Sequence, residues 1–361
     1  MRPTAILIVW DRMGDYHQAR IKACREIIEG EVYSADLGSA DRLYKWNNVS
    51  ESHHFVLSDK PVQEKDFVHR FKTFRKILNE KKITCIAMGY GRTEYLAFLL
   101  YAKLRGIKTI VFCESWYTRG IMKDFLKSCL LKAIGTNYFV SGERAYNHFV
   151  HRYHMNPAKV CMGYSVVDNE HFKAKKELPK TYLLCVARYS EEKNLEFLIR
   201  CFTQSKLSEK YQLLIIGDGP LKESLQHTIT SLHTDRIILS GWRTYAELPE
   251  IYAGAIACIL PSTFEPWGLV INEAMAAKLP ILVSNDCGCK SDLLKEGING
   301  LSFNPANGTE LVSVLNRFSE HESLLMNTMG VHSLNIIGNF TPESWAKHIQ
   351  SFISSMCFIS K

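Results

Sequence analysis

Short apolar runs rich in β-branched residues alternate with helix-patterned stretches along the whole chain, and this alternation restricts the fold to parallel α/β sheets. In the first half the strands read "TAILIVW", "ITCIAMG", "KTIVFCES" and "NYFVSG", with helices between them such as "TEYLAFLLYAKLRG", closed by Gly106. In the second half they read "YLLCVAR", "QLLIIGDG", "IILSGW", "AIACILPS" and "PILVSN", with helices starting near Asn194, Leu221, Tyr245 and Gly268. A chain of 361 residues, 46% hydrophobic, can bury two cores of this kind. The expected architecture is two Rossmann-like domains with parallel sheets facing across a cleft. Residues 1–165 form the first and 181–341 the second, joined by a linker at 166–180 where periodicity fades and charge gathers. Residues 342–361 carry Trp345, Ile349, Phe352 and Ile353 at helical spacing, a stripe that must dock, and are expected to cross back to the first domain.

Composition narrows the function. No stretch approaches the roughly 20 apolar residues that span a bilayer, and "MRPTAILIVWDRMG" reads as a buried first strand rather than a signal peptide. Most of the eleven cysteines lie inside apolar runs, as reduced thiols in a cytoplasmic protein do. Cys287 and Cys289 form the one close pair, with no second pair or histidine cluster to complete a metal site. "GYGRTE" (89–94) and "GDGPLK" (217–222) lack the third glycine of a dinucleotide fingerprint, and no G-x-x-x-x-G-K is present. Residues 1–170 hold 26 Lys and Arg against 18 Asp and Glu, while 171–361 hold 18 against 19. The first domain is therefore expected to meet something acidic. Nucleic acid is the weaker explanation, because no aromatic-basic reader motif appears.

The chemistry collects in two places. In "LLCVARYSEEKNLEFLIRCF", Arg188 leaves a strand end and Lys193 precedes Asn194, a candidate helix cap, so two cations stand over the binding edge of a sheet. With a helix N-terminus they suit a diphosphate; solvated surface charges are the plainer reading. In "PSTFEPWGLVINEAM" (261–275), Glu265 lies in the loop after a buried strand and Glu273 in the helix that follows. The amides of Gly268 and Leu269 between them form an anion site. Carboxylate oxygens accept hydrogen bonds from sugar and ribose hydroxyls, so one acid can hold a sugar ring and the other a ribose, with the diphosphate between.

"VARYSEEKNLEFL", "IIGDGPLKESL" and "PSTFEPWGLVINEAMAAKLPILVS" resemble the retaining GT-B glycosyltransferases of glycosyltransferase family 4, whose acid-x7-acid motif is met by Glu265 and Glu273. The likeness covers the second half well and the first more loosely, through "WDRMGDYHQAR", "ESWYTRG" and "GYSVVDNEHF". The resemblance implies that Arg188 and Lys193 bind the donor diphosphate with help from Gly268 and Leu269. It further implies that Glu273 holds the ribose, Glu265 positions the donor sugar, and Trp242 and Arg243 lie beside the base. Many relatives have a histidine where this chain has Glu114 and Ser115, and a double-glycine loop where it has only Gly14. Glu114 is thus a candidate for the group facing the anomeric carbon and Gly14 for the donor side. Asp15, His17 and Ser115 are candidates for the acceptor side.

The function this implies is a hexosyl-type transferase. Its donor is a nucleotide sugar, a UDP-sugar in preference to a GDP-sugar, and its acceptor a glycan or lipid-linked saccharide of surface polysaccharide or lipopolysaccharide assembly. No cofactor is expected. No D-x-D occurs, so Arg188 and Lys193 would neutralise the leaving group without a metal. A sugar-nucleotide epimerase and a non-catalytic sugar-nucleotide binder stay open as alternatives. The basic stretch "IMKDFLKSCLLKAIG" (121–135) has two readings, a core-facing helix with solvated lysines or a contact with the inner face of a membrane.

Overall fold

A computed structural model describes residues 4–41, 52–118, 120–173, 176, 178–320 and 322–357, the side chains at 322–327 and 355–357 excepted. The chain divides into two compact units, Met1–Val166 with Pro342–Lys361, and Val167–Thr341. In the first unit, β1 (Thr4–Trp10), β2 (Gly30–Asp36), β3 (His54–Val56), β4 (Cys85–Met88), β5 (Lys108–Cys113), β6 (Asn137–Val140) and β7 (Val160–Met162) form one parallel sheet in the order 3-2-1-4-5-6-7. In the second, β8 (Tyr182–Val186), β9 (Gln212–Ile216), β10 (Ile237–Gly241), β11 (Ala255–Leu260), β12 (Ile281–Ser284) and β13 (Gly300–Phe303) form another in the order 10-9-8-11-12-13. Helices follow most of the strands. The inner strands are buried almost without a break, as parallel strands covered on both faces must be.

The nine strands read from the sequence are present. Four others escape that reading. β3 and β7 have three residues each, β13 is "GLSF", and β2 is "GEVYSAD", whose Ser34 and Asp36 are nonetheless fully buried. The second-unit helices Leu195–Thr203, Lys222–Ser231 and Leu269–Ala276 begin one residue after their expected starts. The helix expected near Tyr245 begins at Leu248 instead, because Pro249 sits in its first turn and suits no later position. Within the expected linker, Asn169–Phe172 form a helical turn. Phe172 is buried there and the Asn169 side-chain amide donates to the carbonyls of Ile337 (3.0 Å) and Phe340 (3.3 Å), so this stretch is part of the second unit. Residues 174, 175 and 177 of the linker lie outside the described residues.

The last helix, Pro342–Cys357, packs on helix Asp15–Ile27 in the first unit; residues 358–361 lie outside the described residues. Its apolar stripe is the buried one: Trp345, Ile349, Phe352 and Ile353 are each at most 6% exposed. The Trp345 ring lies 5.5 Å from Phe139, 5.7 Å from Phe112 and 6.4 Å from both Trp10 and Tyr164. Gly163, at φ +102°, permits this approach, since a Cβ there would stand 3.0 Å from the His348 ring. Trp345→Ala should therefore cost about 3–5 kcal/mol, read as a lower urea midpoint, whereas a loosely attached tail would lose almost nothing.

Candidate functional site

In the second sheet the order reverses between β8 and β11, which lie side by side although two other strands come between them in the chain, Ala255 pairing with Tyr182 and Cys258 with Leu184. Segments leaving two such strands diverge, and ligands of open α/β sheets bind in the crevice this leaves at their carboxyl ends. Arg188 and Lys193 follow β8; Glu265, Gly268 and Leu269 follow β11. The fold brings these five together at one sheet edge.

Lys193 and Glu265 form an ion pair across that edge, with side chains only 17% and 12% exposed. Lys193 closes the turn Glu191–Lys193, and Asn194 after it adopts a left-handed conformation at φ 55°. Asn194 occupies the cap position without capping. Its side-chain amide instead donates to the carbonyls of Pro305 (2.9 Å) and Pro261 (3.3 Å), tying the β8 loop to the β11 loop. The Thr263 amide adds a bond to the Glu192 carbonyl at 2.9 Å. Arg188 is exposed and pairs with Glu192 at 3.0 Å, and the Ser190 hydroxyl donates to the same carboxylate at 2.6 Å. Burial works to raise the Glu192 pKa, but the Ser190 hydroxyl, its own backbone amide and Arg188 together hold it down at about 2.

Behind Arg188 stands the glycine turn of β9. A Cβ on Gly217 would lie 1.9 Å from the Ala187 carbonyl and one on Gly219 2.6 Å from that of Tyr189. The Tyr189 amide donates to the Asp218 carbonyl at 2.9 Å. These glycines brace the arginine loop. Gly268, at φ +105°, precedes helix Leu269–Ala276, and a Cβ on it would meet Leu260 Cδ2 at 2.8 Å. Leu269 is the first residue of that helix, so its amide is one the helix leaves without an internal acceptor.

Glu273 sits apart from this edge in character: it is 1% exposed and accepts a bond from the Tyr252 hydroxyl at 2.7 Å. Tyr252 belongs to the buried face of helix Leu248–Ala253 and had no sequence signal beyond that of a core aromatic. Trp242 and Arg243 follow β10 at the surface; Trp242 is half exposed, and Arg243 donates to the Ser240 hydroxyl at 2.7 Å.

The first unit gathers its candidates at the carboxyl ends of β1 and β5. Gly14 caps helix Asp15–Ile27 and Asp15 lies in its first turn, where a carboxylate also complements the helix dipole. His17 is half-buried beside the Trp10 ring, 4.5 Å between centroids, and its Nδ1 accepts the Gly14 amide at 3.1 Å. Burial and the nearby Arg20 charge hold its pKa well below the usual histidine value, so the ring is neutral with its proton on Nε2. His17 lines a cavity of about 210 Å³ together with Asp11, Arg12, Gly89, Tyr95 and Tyr164. Glu114 and Ser115 follow β5; Glu114 accepts from the Ser165 hydroxyl at 2.9 Å.

Sequence reasoning missed Asp11. The "GYGRTE" turn, unfit for a dinucleotide, carries Arg92 from β4 to β1, where its Nε donates to both Asp11 oxygens at 2.9 Å. The Tyr95 hydroxyl donates to Asp11 at 2.5 Å. The order of the first sheet reverses between these same two strands.

The two parallel sheets define a GT-B fold. Sucrose-phosphate synthase from Thermosynechococcus elongatus is similar over 99% of this chain and 100% of its own, with TM-score 0.79 and 16% identity. HepE from Anabaena, solved with UDP and glucose, is similar over 98% of this chain and 100% of its own, with TM-score 0.75 and 15% identity. Residues 166–330 match the model of the family described as glycosyl transferases group 1. Among relatives, an uncharacterised glycosyltransferase of Methanocaldococcus jannaschii is 30% identical over 126 residues, 35% of this chain and 32% of that protein. The O-antigen chain mannosyltransferase of Salmonella typhimurium is 28% identical over 176 residues, 48% and 47% of the two chains. The alpha-monoglucosyldiacylglycerol synthase of Acholeplasma laidlawii is 33% identical over 144 residues, 39% and 35%. The chain thus spans a third to a half of the length of these relatives.

The Glu192 bonds have a pH signature. A carboxyl group held at about 2 when folded, against 4.5 otherwise, contributes stability that is fully present above 4.5 and lost as pH falls through about 2. Glu192→Gln should cost about 1 kcal/mol near neutrality, after allowing for solvent screening at a side chain 34% exposed. Acid unfolding of the two proteins should converge toward pH 2; a gap that stays constant with pH would show that the carboxylate charge is not what matters.

Proposed function

We propose that this chain is a retaining, metal-independent glycosyltransferase that moves a hexosyl group from a nucleotide-diphosphate sugar to a glycan or lipid-linked acceptor in surface-polysaccharide or lipopolysaccharide assembly. The observation that carries the reading is the meeting of Arg188, Lys193, Glu265 and the Gly268–Leu269 helix start at the reversal point of the second sheet. The group 1 match over the same unit supports it. UDP is the preferred base carrier, in line with the UDP complex of HepE, and the O-antigen and diacylglycerol relatives support the acceptor class.

In this reading Arg188 and Lys193 hold the diphosphate and stabilise the negative charge that grows on it as the bond to the anomeric carbon breaks. The acceptor hydroxyl oxygen forms the new bond to that carbon and its proton passes to the departing diphosphate oxygen. Glu265, held by Lys193, orients the donor sugar; Gly268 and Leu269 amides assist the diphosphate. Glu273, fixed by Tyr252, serves the ribose side, with Trp242 and Arg243 beside the base. Gly14, Asp15, His17, Glu114 and Ser115 serve the reacting end and the acceptor, which the first unit takes up on the inner face of a membrane. No cofactor takes part, since the two cations supply the positive charge the leaving group needs.

Thermal unfolding against UDP, GDP, dTDP and CMP tests this. UDP at about 100 times its dissociation constant should stabilise the protein by about 2.7 kcal/mol, and Arg188→Ala and Lys193→Ala should lose most of that gain. Glu265→Gln should keep UDP affinity while sugar transfer falls about a hundred-fold or more. Stabilisation by none of the nucleotides would sink the assignment, and conversion of donor without acceptor would point to an epimerase.

A further inference from the structure

Helix Ile121–Ile134 is built inside out. Its buried stripe begins with two polar residues, Asp124 and Ser128, before Leu131 and Ile134. Asp124 accepts from the Thr118 hydroxyl at 2.5 Å and from Arg152 Nε at 3.0 Å, and the Ser128 hydroxyl donates to the Tyr153 carbonyl at 2.7 Å. The face turned away from the unit carries Ile121, Met122, Phe125, Leu126 and Leu130, which are between 40% and 79% exposed. Successive turns of one helix set these five side by side at i, i+1, i+4, i+5 and i+9, a continuous apolar strip. An ordinary surface helix shows the reverse pattern, and so wide an exposed strip marks a contact with something apolar.

Charge identifies what that is. Lys123, exposed, lies along one border of the strip, and Lys132, also exposed, stands in line with Ile121 and Phe125 at the strip's C-terminal end. Their long stems can lie over apolar surface while the ammonium groups reach outward. The first unit as a whole holds 28 Lys and Arg against 17 Asp and Glu, whereas the second holds 16 against 20. An apolar strip edged by lysines on a strongly cationic unit complements a surface that offers hydrocarbon beneath negative headgroups. A protein partner would need no such one-sided charge.

We propose that helix Ile121–Ile134 docks the protein on an anionic lipid bilayer, its apolar strip entering the interface and Lys123 and Lys132 resting among the headgroups. This deepens the membrane side of the proposed function and rests on it only there, because docking requires neither donor nor acceptor. The proposal takes the membrane side of the two readings the sequence leaves open, while Asp124, Ser128, Leu131 and Ile134 form the edge that faces the unit.

The full chain is sedimented with vesicles of phosphatidylcholine alone and of equal parts phosphatidylcholine and phosphatidylglycerol. The protein should pellet with the anionic vesicles and stay in solution with the neutral ones, and binding should weaken as salt is raised. Phe125→Glu with Leu126→Glu should abolish pelleting. Lys123→Glu and Lys132→Glu should each weaken binding by about five-fold or more. All these side chains are exposed, so thermal unfolding and its shift by UDP should be unchanged. That separates loss of docking from misfolding and from failure of the nucleotide site. Failure of the native protein to pellet with anionic vesicles overturns the proposal. So does pelleting of the double variant to the same extent, or a dimer in solution that the double variant converts to monomer, which would assign the strip to a second copy of the chain.

Discussion

When a parallel sheet is wound outward in both directions from its middle, two neighbouring strands send their following segments to opposite faces, and the loops between them part. In the second unit those strands are β8 and β11, and Arg188, Lys193, Glu265 and Glu273 of the candidate donor site all follow one or the other. The arrangement needs few specialised residues. Asn194 ties the two loops by bonding Pro261 and Pro305, the glycines of the β9 turn leave room for the backbone of the Arg188 loop, and Gly268 lets the β11 loop enter its helix beside Leu260. The crevice is a property of the winding; these residues only keep its rim from moving.

A half-buried ion pair at the rim has a particular energetic character. Lys193 and Glu265 have both lost most of their water, and each is made tolerable by the other. In the proposed function, an arriving diphosphate would offer Lys193 a second anion and a sugar hydroxyl would offer Glu265 a donor. The pair can therefore exchange partners at small net cost, since the desolvation has already been met in folding. Arg188 is placed similarly but in the open, where Glu192 holds it weakly enough to be displaced.

What could be read from the sequence follows from how local each signal is. Strands patterned over five or more apolar residues, and the polar loops after them, are visible because burial on both faces leaves a continuous run. Arg188, Lys193, Glu265 and Gly268 were legible for that reason. β2 was not, because its buried Asp36 is satisfied by Arg12 at 3.0 Å and by the Met13 amide at 2.6 Å, partners some two dozen positions earlier. The same holds for Asp11 with Arg92 and Tyr95, and for Glu273 with Tyr252: each is a bond between elements, and neither partner announces it alone. The inverted helix Ile121–Ile134 had the composition of an ordinary amphipathic helix, and only its orientation on the unit distinguishes the two.

The last helix belongs to the unit in which the chain began. During synthesis the second unit, being continuous, is complete in sequence before the first, whose core stays open around Trp10, Phe112 and Phe139 until Trp345 has left the ribosome. The second unit is thus able to close before the first, although it comes later in the chain. The exposed aromatic floor of the other unit is the surface that chaperones would have to shield in the interval.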